Sequence, residues 1–390
     1  IMPVFGTQMF GRGGATYEIG NSCVFDSAST ASMSRTPGSA GNQKILTQSI
    51  WVKRGKLGTD QTLGVNVSGG VSTGLGVWFN ADDTMSVYVL LDTTWVGKLT
   101  TTQVFRDPSA WYHVVFSVDT PQATASNRIK LYINGSQVTA FSVDDYPDQD
   151  TTTQFNNTVT HYIGRYASSA SYWADMYQAE HHWIDGTALT PSSFGETNDE
   201  GVWVPKKYSG SYGTTGFYLD YADSSDLGDD ESGQGNDWAE SNLTATDQRT
   251  DTPTNNQVTF NPLNNQQSGA DAITEGNTVY NGPSTRTMIS LTANIPSTGK
   301  WAVAFSASVV STGAGWNFGI TKSNNSNFGD AAGSNEDVGA SDGVNMSPSS
   351  SDLQLYDYST STSIDPTLPV TTSDEFWMAV DMATGKCFLG

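Results

Sequence analysis

Asp223, Asp226, Asp229, Asp230, Asn236 and Asp237 crowd one short Gly- and Ser-rich stretch. Oxygen-bearing side chains at that density are what a hard divalent cation such as calcium needs. The ligand spacing and the missing terminal Glu exclude an EF-hand. A solvated acidic turn, with Gly and Asn serving backbone geometry, is the competing reading and the commoner use of such runs.

Paired carboxylates on one strand face would suit glycan hydrolysis. The best local pair is Asp175 and Glu180, but their odd spacing places them on opposite faces of a regular strand, and position 177 is Tyr. His181 and His182 are adjacent, so in a strand they point to opposite sides and cannot share a metal, while His113 and His161 lie elsewhere. No HExxH, Cys-x-x-Cys, Gly-x-Ser-x-Gly or phosphate-binding Gly loop occurs. Trp95, Tyr166, Tyr172 and Trp173 flank polar loops, where rings could stack on sugar faces. A place in the core is the more frequent fate of such rings.

The elements that would carry these residues read as strands. In Trp111 to Asp119, Tyr112, Val114, Phe116 and Val118 share one face by alternation. Ile129, Leu131 and Ile133 alternate into Asn134-Gly135, a strong hairpin signal. Further strands are expected at Ser22 to Phe25, Leu46 to Lys53, Gly76 to Phe79, Met85 to Leu91, Trp173 to Ile184, Val202 to Tyr208 and Gly216 to Tyr221.

The order WYHVVFSVD, NRIKLYINGSQV, HYIGR and ADMYQAEHHWIDGTALTPSSF resembles the laminin-G / concanavalin A-like jelly-roll family. The likeness is greatest to the version in tail-fibre and other virion proteins of marine bacteriophages, and it covers roughly Asn21 to Tyr221. It implies a lectin-like sandwich, a fold that also hosts glycanases and plain structural modules. DDESGQGND resembles the Asp-x-Ser-Gly-x-Gly-Asn segment of that family, which keeps calcium as the candidate cofactor. Glu180 falls where the non-catalytic laminin-G pattern has an acidic residue of its own.

The chain of 390 residues carries 40 acidic and 18 basic residues, a net charge of −22. That balance disfavours nucleic acid and anionic membrane surfaces as partners. Two distant cysteines, Cys23 and Cys387, exclude a disulfide framework. There is no apolar run long enough to span a bilayer as a helix and no secretory leader pattern.

The expected organisation is a Gly-rich arm over 1–20, a laminin-G-like sandwich over 21–240, a polar linker over 241–257 and a second sandwich over 258–390. In the last, GKWAVAFSASV, WNFGI and DEFWMAVDMATGKCFLG are similar to a SPRY-type domain, and the chain stops inside a core strand, as a fragment of a longer polypeptide would. The fold class is therefore all-β, two β-sandwiches in tandem with the second truncated. By resemblance, the chain is a non-enzymatic virion protein assembled in the host cytoplasm, a fibre or adhesin contacting host-surface glycan or receptor. Its other partners would be virion proteins and copies of itself, the resemblance implying a homo-oligomer, with trimers frequent among phage fibres. A decoration or adaptor protein is the alternative, and a glycan hydrolase ranks last.

Overall fold

The computed structural model describes residues 17–67, 75–91, 94–166 and 172–265, and beyond these only short stretches between 273 and 389. Among the described residues, strands dominate, and the helical turns are the short 3-10 segments Ala125–Asn127, Pro191–Ser193 and Ala245–Asp247. The described residues divide into two units, one ending at Gln257 and one beginning at Val258.

The first unit is organised by strand Ile45–Arg54, which pairs with Trp111–Asp119 on one side and Met176–Asp185 on the other. The sheet continues outward through Ile129–Ile133 and Ser136–Gln137, and in the other direction through Ser22–Phe25 and Gln248–Arg249. Strand Phe217–Leu219 also pairs with Met176–Asp185. A second, five-stranded sheet runs Phe141–Asp145, Thr94–Val104, Thr84–Leu91, Leu75–Phe79 and Gln61–Thr62.

Alternation decides what lies between the sheets. Leu46, Ile50, Val52, Val114, Phe116 and Val118 from the large sheet meet Val77, Phe79, Met85, Val87, Val89 and Leu99 from the five-stranded one in a single buried cluster. Burying these side chains stabilises the unit by roughly 1.5–3 kcal/mol each before entropy is counted. Asn134 and Gly135 take φ of 46° and 81°, the double positive φ of a type I′ hairpin turn.

Two expectations differ from the structure. The strand expected over 202–208 is shorter, Trp203–Pro205, and among the described residues it pairs with Gly195–Thr197 rather than joining the large sheet. Residues 241–257, read as a linker, fold onto the first unit instead. Gln248–Arg249 extends its large sheet, and Asp251 forms a buried ion pair with Lys53. Polar composition hid this segment, because what it contributes is hydrogen bonds rather than apolar area.

In the second unit, Lys300–Ser306 pairs with Glu375–Asp381, which pairs with Lys386–Leu389. Phe318–Ile320, Val344–Pro348, Leu353–Asp357 and Thr360–Asp365 form a four-stranded antiparallel sheet.

Candidate functional site

The outward face of the five-stranded sheet carries an aromatic and polar surface. Val77 and Phe79 point into the core, so Trp78 points out; Val87 and Val89 do the same for Tyr88. Trp78 opposes Ser86, which opposes Thr100, while Tyr88 opposes Lys98. Asn80 donates through Nδ2 to Thr84 Oγ1 and Ser86 Oγ at 2.8 Å each and accepts from the Tyr88 hydroxyl at 3.2 Å. The Lys98 ammonium sits 5.1 Å from the Tyr88 ring centroid. Burial pushes the Tyr88 hydroxyl pKa up, and Asp60 and Asp82 add to the rise.

A loop from the neighbouring strand His161–Ile163 completes the surface. Gly164, at φ 83°, turns the chain where a Cβ would strike the Phe25 ring. Tyr166 and Tyr172 then pack against Trp78, with centroids 5.0 and 4.9 Å away, and Tyr88 lies 5.4 Å away. Trp78 is thus bordered by three tyrosine rings, all half-buried. The Trp173 ring lies 5.4 Å from the Arg165 guanidinium, which also lies 4.6 Å from the Tyr162 ring.

Of the four aromatic residues singled out from sequence, Tyr166 and Tyr172 come together on Trp78, while Trp173 packs against Arg165. Trp95 begins strand Thr94–Val104, and its side chain lies outside the described residues. Sequence reasoning missed Trp78 and Tyr88. The available signal was a large ring on the polar side of an alternating strand, between Val77 and Phe79 and between Val87 and Val89.

The acidic loop is closed on itself. Asp230 accepts from the backbone N–H groups of Tyr218, Ser232 and Asn236 and from the Ser232 hydroxyl. Asn236 donates to the Thr214 and Gly216 carbonyls, and its Oδ1 accepts from the Arg35 guanidinium. Asp237 accepts from the Asp230 N–H, and Asp223 from the backbone N–H and hydroxyl of Ser225. Asp223, Asp226, Asp229 and Asp237 are exposed. The Asp223, Asp230, Asn236 and Asp237 side-chain oxygens thus accept hydrogen bonds, and among the described residues no three His, Cys, Asp or Glu side chains gather as a metal site.

The titratable groups of the large sheet are occupied in the same way. Glu180, at φ 50°, forms a bulge in which it and His181 together oppose Ile50. His181 turns inward to Gln48, whereas His182 turns outward and stacks on Tyr218 with centroids 4.3 Å apart. The Glu180 carboxylate is buried and accepts from the hydroxyls of Tyr17 and Tyr218. Burial and the Glu180 charge push the Tyr17 hydroxyl up to about 12. Asp175 accepts from the Ser27 hydroxyl, and burial raises its carboxyl to about 6. His113 receives the Trp203 indole N–H on Nδ1, so its Nε2 carries the proton and donates to Ser49 Oγ. That polarity is the reverse of what would activate Ser49 as a nucleophile.

Comparison with known proteins follows this geometry. Residues 27–177 match the Laminin_G_3 family, the concanavalin A-like lectin/glucanases superfamily. No curated protein sequence matches the chain. Among solved structures, a putative carbohydrate binding protein from Bacteroides ovatus is similar at 14% identity and TM-score 0.38, over 57% of this chain and 58% of that one. A heptameric SAP-like pentraxin from Limulus polyphemus is similar at 13% identity and TM-score 0.34, over 45% and 80%. A Trypanosoma rangeli sialidase follows at 16% identity and TM-score 0.29, over 38% of this chain and only 22% of its own. The chain thus spans less than two thirds of the Bacteroides and Trypanosoma proteins. Taken with the sheets and their shared core, the match over 27–177 is to the fold: an all-β, concanavalin A-like jelly roll.

Proposed function

We propose that this chain is a non-enzymatic glycan-binding protein, and that the sugar seats on Trp78 within the surface formed with Tyr88, Tyr166 and Tyr172. The observation that carries the reading is the Trp78 indole, half-buried and bordered by three tyrosines on an outward sheet face. An aromatic ring held in place by its neighbours offers the flat apolar face of a pyranose a partner at little entropic cost. Asn80, Ser86, Thr100 and Lys98 supply amide, hydroxyl and ammonium groups beside it to orient sugar hydroxyls.

The setting we propose is a bacteriophage virion, with the chain as part of a tail or head fibre that contacts host-surface glycan. The order of sequence blocks that resembles virion proteins supports it, as does the acidic balance of −22, which suits a soluble particle component. Other virion proteins and copies of the same chain would be its remaining partners, and the 258–390 unit would be a SPRY-like sandwich. A purely structural decoration role is the second reading, and it predicts no glycan binding.

The test is isothermal titration of the purified chain against a panel of neutral host-surface glycans, alongside a folded Trp78→Ala variant. Saturable binding lost in the variant supports the proposal. Absence of binding across the panel, or equal binding by both proteins, overturns it.

A further inference from the structure

Lys53 is a fully buried lysine on the central strand, and everything around its amine is arranged for more than charge pairing. Its Nζ lies 2.8 Å from Asp251 Oδ2, 3.0 Å from Asn256 Oδ1 and 2.6 Å from the Gln257 carbonyl. Asp251 is also buried, and its other oxygen, Oδ1, is held by the Trp111 indole N–H and the Gln257 N–H, both at 3.1 Å. Oδ2 is thereby aimed at the amine. The Asn256 amide nitrogen donates to the Ser109 carbonyl at 2.8 Å, which fixes the plane of the amide. Trp111 and the Tyr177 ring, 5.8 Å from Nζ, wall the group from water.

We propose that Lys53 and Asn256 become joined by an intramolecular isopeptide bond, with Asp251 as the catalytic residue. An amine nucleophile, a side-chain amide electrophile, a carboxyl group touching the amine and an anchored leaving nitrogen come together around the buried Lys53 amine. Held side by side on the folded chain, these groups would react intramolecularly, without the entropic cost of an encounter. The Lys53 ammonium passes a proton to Asp251 Oδ2. The free amine attacks Asn256 Cγ, forming the new C–N bond while the carbonyl π pair moves onto Oδ1. Asp251 returns the proton to Nδ2, the Cγ–Nδ2 bond breaks, and ammonia leaves. It carries off the surplus proton of the new amide nitrogen as ammonium, and Asp251 ends ionised as it began. No oxidant or cofactor is needed.

The bond would tie the sheet's central strand to the segment that closes the unit, 203 residues further along the chain. Cys23, the described cysteine, is free, so no disulfide does that work among the described residues. A covalent closure of so long a loop restricts the unfolded chain most.

The test is the intact mass of the purified full chain, followed by protease digestion and tandem mass spectrometry. The expected mass is lower than the sequence mass by one ammonia, with a branched peptide joining Lys53 to Asn256. Full sequence mass overturns the proposal, and so does loss of ammonia without that branched peptide. A branch to Asp251 with loss of one water also overturns it, because the electrophile would then be the carboxyl. Asp251→Asn keeps the shape but removes the acid, so the folded variant should appear at its full sequence mass; a branched peptide in that variant overturns the role of Asp251. The wild-type measurement stands even where a variant fails to fold.

Discussion

The rings of Trp78 and Tyr88, on adjacent strands of the five-stranded sheet, meet at 69° with centroids 5.4 Å apart. Tyr166 and Tyr172 pack against the same indole, so three rings hold it in place. If this packing prepares Trp78 to receive a sugar, removing one supporting ring should cost binding more than stability. Tyr166→Ala and Tyr172→Ala are each expected to weaken glycan affinity by about 0.5–1.5 kcal/mol, a several-fold rise in Kd. Titration gives the affinity, and thermal melting, expected to shift little, gives the control.

The hairpin turn that presents Asn80 depends on a buried charge. Asp83, at φ 66°, accepts from Arg54 and Arg106 and from the Gly58 N–H, each at 2.9 Å. Burial alone would raise its carboxyl, yet those hydrogen bonds hold it below the ordinary range. Arg54 is fully buried and lies against the Phe79 ring. Asp83→Ala strands that guanidinium, so an unfolding free energy lower by about 3–5 kcal/mol is expected in urea titration. Asp83→Asn, which tolerates the same backbone region, should retain the turn better.

Three histidines make the fold acid-sensitive. Burial lowers His113 and His181 to about 3 and His161 to about 4, so all three stay neutral in the native protein while the unfolded chain protonates them near 6.5. Their stabilisation is complete above that value and is lost as pH falls towards 4. Asp175, raised to about 6 by burial, works in the opposite sense, since its native form binds a proton that the unfolded form releases. Among these four groups alone, three against one leaves about two protons favouring unfolding between pH 4 and 6, a contribution of roughly 2.7 kcal/mol per pH unit. Urea unfolding across that window should show the slope, and His181→Gln should make it shallower by about 1.4 kcal/mol per unit.

The core of this fold was open to inspection in the sequence because alternation reports burial directly. Tyr112, Val114, Phe116 and Val118 do share the inner face, and Phe217 and Leu219 do face inward against Tyr218. Polar contributions were harder to see. Asp251, Asn256 and Gln257 looked like linker because their role is hydrogen bonding to Lys53, which leaves no periodic trace. The site was half visible: Tyr166 and Tyr172 stood out beside polar loops, whereas Trp78 was masked by apolar neighbours on both sides. The parity of Asp175 and Glu180 was also beyond a regular-strand argument, because the bulge at Glu180 breaks the alternation.

Calcium provides a separate check on the acidic loop. Asp230 already accepts four hydrogen bonds, and Asn236 is pinned by Arg35 and two carbonyls. Chelation followed by calcium addition is expected to leave the melting temperature unchanged and to give no binding heat. A calcium-dependent rise in Tm would mean that the loop rearranges around the ion. Asp230→Ala should instead destabilise the loop with or without calcium, by about 1–3 kcal/mol, since it leaves buried N–H groups unpaired.

The most direct measurement is the structure of the chain bound to the glycan that titrates most tightly. The account predicts a pyranose ring in van der Waals contact with the Trp78 indole, bordered by Tyr166 and Tyr172, with its hydroxyls reaching towards Asn80, Ser86 or Lys98. A sugar bound elsewhere on the chain, with the Trp78 face bare, would contradict it.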